Sequence, residues 1–332
     1  MPSMSDLPDR ILILIAAFGI EAVLAYPAPL FRAIGHPVSW IGALIEAMDS
    51  RLNRPEMSLA RRRAAGVATV LLLLAASLGA GIGLEAVSRA GRYLGLAVVI
   101  VVVAVLIAFG SLDQHVRAVA AALRADGLAG GRRRIADIVG RDPETLDAAA
   151  VCRAAIESLA ENASDGVTAP ALWFLFGGLP GMIAYKAINT ADSMIGHLTE
   201  RHRAFGWAAA RLDDLVNWPA ARLTGLMFIA AALVVPGASA ASAWRAFRRD
   251  ARRHRSPNAG WPEAAMAGAL GLRLAGPRSY RGVVVDDHWM GDGRAEATAE
   301  DIDRALTLYR VAFGGALAVL AGIGLLVSAL EG

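Results

Sequence analysis

The stretch LGLAVVIVVVAVLIAFG, residues 94–110, contains no charged side chain. An α-helix needs about 20 predominantly apolar residues to cross the hydrocarbon core of a bilayer. The stretches LLLLAASLGAGIGL at 71–84 and VAFGGALAVLAGIGLLVSAL at 311–330 have the same apolar character. Backbone exposed to lipid must form its hydrogen bonds within its own helix. The sequence therefore predicts an all-α, polytopic integral membrane protein with helical cytoplasmic loops.

The composition supports this class. Of the 332 residues, 56% are hydrophobic but only 6% are aromatic, so small aliphatic side chains supply the apolar surface. Small residues allow membrane helices to approach closely. The arginines cluster at 61–63, 132–134 and 245–255. Arginine clusters beside apolar spans are typical of cytoplasmic anchors, and we expect no nucleic-acid partner.

We predict one membrane-embedded domain over residues 1–332, with about five or six membrane helices in the cell (inner) membrane. The segment 171–185 is short and contains Gly177, Gly178, Pro180 and Gly181, so it either crosses the bilayer or re-enters it. If it crosses, the three arginine-rich loops, 31–64, 113–166 and 242–310, share the cytoplasmic side. The other predicted spans are 11–30, 65–84, 93–112, 222–241 and 311–329.

A dense group of charged and amide side chains interrupts this apolar background between residues 153 and 222. Ionisable side chains beside membrane spans are costly to bury unless they pair, bind a metal or bind a ligand. We therefore place the functional centre in this block. Its members are Glu157, Glu161, Asn162, Asp165, Lys186, Asn189, Asp192, His197, Asp213, Asp214 and Asn217.

The first group in the block lies at the end of a predicted helix that Asp142 would cap. Glu157 and Glu161 are four residues apart and share one face of this helix, and Asn162 and Asp165 follow. Hard oxygen ligands of this kind suit Mg²⁺. A structural ion-pair network that begins at Arg153 is the alternative.

The second group is YKAINTADSMIGH, residues 185–197. Helical spacing places Lys186, Asn189 and Asp192 on one broad stripe, with Ser193 and His197 further along. Lys186 is the only lysine in the chain, and an ammonium group is a compact partner for phosphate. For His197, a polar residue near the membrane interface is an equally good interpretation.

Two further groups are weaker. In RLDDLVNW, either Asp213 or Asp214 could bind a cation together with Asn217, but an ion pair of Asp214 with Arg211 competes. Asn258 lies in a Gly- and Pro-rich turn before a helix, where backbone N–H groups can bind anions.

At these segments the chain resembles the adenosylcobinamide-phosphate synthase family of cobalamin biosynthesis, also called cobinamide synthase, from about residue 20 to 293. The resemblance implies a membrane enzyme that joins aminopropanol or its O-phosphate to a carboxylate of adenosylcobyric acid, with ATP as co-substrate and Mg²⁺ as cofactor. The segments are HPVSWIG (36–42), RAAIESLAENASDGVTAP (153–170), YKAINTADSMIGH (185–197), FGWAAARLDDLVNWPAARLTG (205–225) and PNAGWPEAAMAGALGLRLAGP (257–277).

For that reaction we assign the residues of the polar block as follows. The catalytic candidates are Glu157, Glu161, Lys186 and Asp192. The candidates for binding substrate or nucleotide are Asn162, Asn189, Ser193, His197, Asn217 and Asn258. The metal-ligand candidates are Glu161, Asp165, Asp192, Asp213 and Asp214.

The expected partners are the corrinoid and amino-alcohol substrates, the lipid bilayer and other late cobalamin-assembly membrane enzymes. The chain contains no P-loop pattern, so a Walker-type nucleotide site is not expected. Two other functions remain open: a Mg²⁺-dependent prenyl- or phospho-transferase, suggested by LDDLVN, and a transporter with 171–185 as its substrate site. Asp286, Asp287 and His288 depart from the family's expected pattern and are given no role.

Overall fold

The computed structural model describes residues 7–24, 35–138, 143–280, 283–285 and 287–331, and these are almost entirely helical. The helices are α1 (Leu7–Leu24), α2 (Pro37–Leu52), α3 (Leu59–Ala90), α4 (Arg92–Leu106), α5 (Phe109–Ile135), α6 (Ala148–Asn162), α7 (Ala169–Ile195), α8 (Trp207–Ala231), α9 (Ala240–Asp250), α10 (Gly260–Leu270) and α11 (Ala299–Glu331). Short 3₁₀ turns occupy Pro143–Thr145 and Ala251–Arg253. The strands are β1 (Leu274–Ala275), β2 (Arg278–Tyr280), β3 (Val283–Val285) and β4 (Trp289–Met290).

Among the residues that the structure describes, four helical runs are long and apolar enough to cross a membrane. They are Leu59–Ala90, Tyr93–Ile135, Ala148–Ile195 and Ala299–Glu331. Large apolar side chains along them, such as Leu71 and Leu325, are exposed on the protein surface, as expected for residues that contact lipid. The prediction of an all-α membrane protein is confirmed.

One of the other predicted spans, 222–241, is only partly helical. The helix in the region of 222–241 ends at Ala231, and turns follow it. Helix α1 ends at Leu24, and residues 25–30 of the predicted span 11–30 lie outside the described residues. The predicted loop 113–166 is largely helical, because α5 and α6 occupy most of it.

The chain divides into two compact units, and the prediction of one membrane-embedded domain stays a prediction. The first unit comprises Met1–Ala108, Ala169–Asn217 and Ile323–Gly332; the second comprises Phe109–Thr168 and Trp218–Gly322. Each unit is described separately below.

In the first unit, α7 is broken where the sequence predicts an interruption. Gly178 has φ 60° and ψ −154°, which leaves the helix in two halves. The Arg10 guanidinium donates hydrogen bonds of 2.9 Å to the carbonyl oxygens of Leu175 and Phe176, at the end of the first half. The Glu85 carboxylate accepts a bond of 3.0 Å from the backbone N–H of Leu179, at the start of the second half. Each charge complements the helix dipole at the end that it contacts.

A polar network fixes the start of α3 in the same unit. Arg62 is buried. It donates a hydrogen bond of 2.7 Å to the side-chain oxygen of Asn53 and also contacts the carbonyl oxygen of Arg201. Asp49 in turn accepts two hydrogen bonds from the Arg201 guanidinium. The cluster at 61–63 therefore includes one arginine that stabilises the fold, in addition to any anchoring at the membrane surface.

In the second unit, α6 begins after Asp147, whose carboxylate accepts a hydrogen bond of 2.7 Å from the backbone N–H of Ala150. The sequence predicted Asp142 as this cap; Asp142 lies outside the described residues. A π-helical segment, Ala163–Thr168, follows α6. Helix α10 ends at Leu270 and is capped by Gly271, which has the left-handed φ of 68°.

The four strands were not predicted from the sequence. They form two antiparallel pairs, β1 with β4 (Leu274 opposite Met290) and β2 with β3 (Ser279 opposite Val284). Runs this short produce no detectable alternation of apolar and polar residues, so periodicity cannot reveal them.

Candidate functional site

In the first unit, Asn189, Asp192 and Asn217 all act on the Asp213 carboxyl group, and Lys186 is buried one helical turn before Asn189 in α7. These five predicted residues are described together. We call them the lysine–aspartate cluster. They come from the second half of α7 and the first turns of α8. The Asn189 amide donates a hydrogen bond of 3.3 Å to the Asp213 carboxylate, across the two helices.

The carboxyl group of Asp213 has an unusual pKa. Burial and, to a smaller extent, the negative charge of Asp192 raise this pKa to about 7, although the amides of Asn189 and Asn217 partly offset both effects. Only 8% of Asp213 is exposed. A carboxylate that is buried beside a second carboxylate becomes more stable when a cation or another proton donor approaches. The pair Asp192–Asp213 is therefore the strongest indication of a ligand in this unit.

Asn217 lies next to this pair and is 1% exposed. Its side-chain oxygen accepts a hydrogen bond of 2.8 Å from the Tyr185 hydroxyl, which fixes the orientation of the amide. Its Nδ2 atom has no hydrogen-bond partner among the described residues, although it is near enough to Asp213 to lower that pKa. A buried donor without a partner is costly, so this amide has capacity for an acceptor atom of a ligand.

His36 is near this cluster, and no feature of the sequence around it predicted a functional role. Its Nδ1 accepts a hydrogen bond of 3.2 Å from the backbone N–H of Val38, and it caps α2. Burial lowers the pKa of His36, and the positive charge of Lys186 lowers it further. The histidine is in the segment HPVSWIG, which served above only as a sign of family resemblance.

The remaining predicted residues of this unit lie at its margin. Ser193 is exposed, and its hydroxyl donates a hydrogen bond of 2.9 Å to the carbonyl oxygen of Asn189 in the same helix. His197 is exposed and interacts electrostatically with Asp192. Asp214 forms the ion pair with Arg211 that its spacing suggested, at 3.3 Å. Their predicted roles in binding remain predictions.

Glu157, in the second unit, has a clear structural contact. It is 4% exposed, and its Oε1 accepts a hydrogen bond of 2.8 Å from the backbone N–H of Ala275. Ala275 has a φ of 60°, which is uncommon for a residue with a side chain. The buried carboxylate therefore stabilises a strained backbone position in β1. The predicted catalytic role of Glu157 stays a prediction.

The neighbours of Glu157 differ among themselves. Glu161 is exposed and Asp165 is half-buried. The Asn162 amide donates hydrogen bonds of 2.9 Å to the carbonyl oxygen of Ser158 and of 3.1 Å to the Ser158 hydroxyl, and both bonds lie within its own helix. The hydroxyl of Ser164, in the π-helical segment, is buried and has no hydrogen-bond partner in the described part of the chain. Helical spacing alone could not distinguish these environments.

Asn258 also serves the structure of the second unit. Its side-chain oxygen accepts a hydrogen bond of 2.6 Å from Arg222. The central carbon of the Arg222 guanidinium lies 4.7 Å from the ring centroid of Trp218 and 4.6 Å from that of Trp261. Burial and, to a smaller extent, the positive charge of Arg252 lower the pKa of Arg222 to about 10. The predicted contact of Asn258 with substrate stays a prediction.

The predicted metal ligands do not form one large cluster. Within the described residues, no group of three or more His, Cys, Asp or Glu side chains is arranged to hold a metal ion. Mg²⁺, however, is usually bound by one or two carboxylates with water and substrate phosphates. Asp192 and Asp213 are carboxylates of the kind that this smaller requirement needs, and the charge of Asp192 acts on Asp213. Magnesium binding by these two residues stays a prediction; Glu161 and Asp165 belong to the other unit.

Comparison with known proteins gives a consistent result. The family described as "CobD/Cbib protein" matches residues 14–309. Proteins named "Cobalamin biosynthesis protein CobD" are similar along nearly their whole length. The protein from Rhizobium meliloti is 53% identical over 306 residues, covering 92% of this chain and 94% of the relative.

Two further proteins of the same name come from Brucella suis and Rhodobacter capsulatus. They are 48% and 46% identical and cover 90% and 95% of this chain, and 92% and 98% of their own lengths. No solved structure shows significant similarity to the chain. The match over most of the sequence, and these identities, confirm the resemblance: the chain belongs to the CobD/CbiB family.

Proposed function

We propose that the protein acts in cobalamin biosynthesis as an ATP-driven amide ligase of the cell (inner) membrane. It would join aminopropanol or its O-phosphate to the propionate carboxylate of adenosylcobyric acid and release adenosylcobinamide or its phosphate. Family membership and the names of the relatives support the pathway. The observation that supports the chemistry is the lysine–aspartate cluster, which combines a buried and a half-buried carboxylate, a buried lysine and a buried amide donor.

Amide formation from a carboxylate requires activation, because hydroxide is a poor leaving group. In the proposed reaction, a carboxylate oxygen of the corrinoid attacks the γ-phosphorus of ATP, and ADP leaves. The amine nitrogen then attacks the acyl carbon, the C–O bond to phosphate breaks, and the amine loses one proton. The products are the amide, ADP and phosphate, so one ATP is consumed for each bond. Such a reaction depends on positioning and on stabilising negative charge.

The side chains of the cluster match these requirements. The Lys186 ammonium would neutralise phosphate oxygens, and the Asn217 Nδ2 would donate to an oxygen of the substrate. Asp213, with a pKa of about 7, can accept the proton that the amine loses near neutral pH. Asp192 and Asp213 would hold Mg²⁺, which would offset the charge of ATP when bound. Because Asp213 cannot accept a proton while it binds a cation, these two roles are alternatives that experiment can separate.

The two other functions have less support. A prenyl- or phospho-transferase of the Mg²⁺-dependent type would use several aspartates around a diphosphate, whereas Asp214 is paired with Arg211. A transporter would use the broken helix α7 as its substrate site, but Arg10 and Glu85 already contact the two ends at the break. Neither family membership nor the relatives' names favour these functions.

The proposed function can be tested by nutritional rescue. In a cobalamin producer from which the corresponding gene is deleted, added cobinamide should restore cobalamin synthesis and added cobyric acid should not. Expression of this chain should restore growth on cobyric acid. Restoration by cobyric acid in the deletion strain would place the block earlier in the pathway. Loss of corrinoid uptake with normal assembly would instead indicate transport.

A further inference from the structure

A cleft in the second unit contains charged groups that the lysine–aspartate cluster does not explain. It has a volume of about 260 Å³. Its charged lining consists of Arg249, Arg253, Arg273, Asp250 and Asp292, and His288, Trp289 and Gly291 complete it. We infer that this cleft binds the phosphate group of a small soluble compound.

The cationic groups of the cleft exceed its anionic groups. Both carboxylates, Asp250 and Asp292, bind the same arginine, Arg249, at 2.7 and 2.9 Å. Arg253 contacts the imidazole nitrogen of His288, at 3.0 Å, and Arg273 donates 2.9 Å to the carbonyl oxygen of Gly293. Neither Arg253 nor Arg273 forms an ion pair with any residue that the structure describes. Two guanidinium groups in a concave site are thus available to an anion.

The cleft is held in shape by a buried carboxylate. Asp250 is 1% exposed and accepts two hydrogen bonds of 2.7 Å from Arg249 and one of 2.9 Å from the backbone N–H of Gly291. One side chain thereby connects α9 to the turn after β4. Such an arrangement fixes Arg249 before any ligand arrives, which lowers the entropic cost of binding. An arginine that served only as a surface anchor would not need this support.

The chemistry of arginine determines the class of ligand. A planar guanidinium presents several N–H donors in a fixed arrangement, which matches the oxygens of a phosphate group. Trp289 adds an apolar wall, and its ring also lies 5.7 Å from the Arg153 guanidinium. The identity of the phosphate compound rests on the proposed function: ATP and the O-phosphate of the amino alcohol are the two candidates. Since the chain contains no P-loop, a cationic cleft elsewhere would supply charge for a triphosphate.

The inference can be tested by binding measurements on the purified full-length protein, without corrinoid and therefore without turnover. Calorimetry would measure the Kd of ATP, inorganic tripolyphosphate and aminopropanol O-phosphate for the wild type and for the double variant Arg253→Gln/Arg273→Gln. We expect the double variant to raise the Kd of at least one of them about 10- to 100-fold, because charged hydrogen bonds are lost. The matched control is Arg248→Gln, an exposed arginine of α9 outside the cleft lining, which should change the Kd less than about twofold.

The results also identify the ligand. A loss that affects ATP and tripolyphosphate indicates the nucleotide, and a loss confined to aminopropanol O-phosphate indicates the amino alcohol. Wild-type affinity of the double variant for all three compounds would overturn the inference. So would a loss confined to vesicles that contain phosphatidylglycerol, because the cleft would then be a lipid site. If the double variant melts early, the two single variants replace it, each with a smaller expected effect of about threefold to tenfold.

Synthase activity, measured separately, distinguishes the two proposals. A wild type that produces cobinamide while the double variant binds every phosphate normally would remove the cleft and leave the proposed function. A wild type that binds phosphate through these arginines but produces no cobinamide would support the cleft and contradict the proposed function.

Discussion

Two regions of the chain carry nearly the same residue types but use them differently. In the second unit, Glu157 accepts a hydrogen bond from the backbone of Ala275, and Asn162 donates to its own helix. In the first unit, Asp213 is buried beside another carboxylate, and the Asn217 amide donor is near enough to lower the pKa of Asp213 but forms no hydrogen bond of good geometry with any described residue. A buried polar group whose hydrogen bonds are complete stabilises the fold, whereas one with unused capacity indicates a ligand. Local spacing of acids and amides does not separate the two cases.

The largest effect is expected at the pair of aspartates. Asp192→Asn and Asp213→Asn should each lower synthase activity by at least about 100-fold, because each removes a charged group that the proposed reaction requires. The amount of protein in the membrane fraction should remain normal. The measurement is amide formation from adenosylcobyric acid in membranes, with immunoblotting of the same fractions. Activity above about half of the wild-type value in either variant would remove that residue from the site.

A second prediction concerns Lys186, the only lysine in the chain, which is buried. Arginine retains the charge, but its guanidinium is a broad planar group whereas an ammonium group is compact, so we expect the two to bind a phosphate oxygen differently at this buried position. Lys186→Arg should therefore lose most of the activity, about 30- to 100-fold, and Lys186→Ala should lose little more. The affinity for nucleotide should fall in both variants. Near-normal turnover with arginine would show that only the positive charge matters at this position.

A third prediction uses the pKa of Asp213, which is about 7 in the folded protein, against 3.8 for an unperturbed aspartate side chain. Between these values the folded state binds the proton more tightly than the unfolded state, so this group's contribution to stability falls as pH rises from about 4 to 7. Binding of Mg²⁺ requires the ionised form, so its affinity should rise about tenfold per pH unit below 7 and level off above it. Titration of Mg²⁺ at several pH values measures this, with Asp213→Asn as the control.

In that control the pH dependence near 7 should disappear. Persistence of the same dependence in Asp213→Asn would assign it to another group. Absence of any pH dependence in the wild type would show that Asp213 is not a ligand of the ion.

The smallest effect is expected at Glu157. A glutamine oxygen can still accept the N–H of Ala275, so Glu157→Gln should retain activity within about threefold, whereas Glu157→Ala should lower the free energy of unfolding by about 1–3 kcal/mol. Thermal melting and activity, measured on both variants, give the answer. An inactive Glu157→Gln protein that melts normally would make the residue catalytic and contradict the comparison between the two regions.

Glu161 provides a direct test of the same comparison between the two regions. Its sequence context predicted roles in catalysis and in metal binding, and its side chain is exposed in the second unit. Abolition of activity by Glu161→Gln, with normal protein in the membrane, would show that the second region also contributes to the site. Unchanged activity would remove Glu161 from the site and support the comparison.

The sequence alone determined that this is a membrane protein, where its polar block lies and to which family it belongs. Hydropathy follows directly from composition over about 20 residues, and the break at Gly178 was expected because glycine and proline do not sustain a regular helix. The order of the polar segments was sufficient to recognise the family. These features depend on neighbours along the chain.

Only the tertiary structure decided which polar groups contact one another. Glu157 meets Ala275, 118 residues away, and Arg62 is buried by the loop that contains Arg201. His36 approaches Lys186 although no spacing rule connects them. Whether a carboxylate is a structural acceptor or a ligand depends on the donors that folding brings to it and on its burial, and both are set by contacts between distant segments.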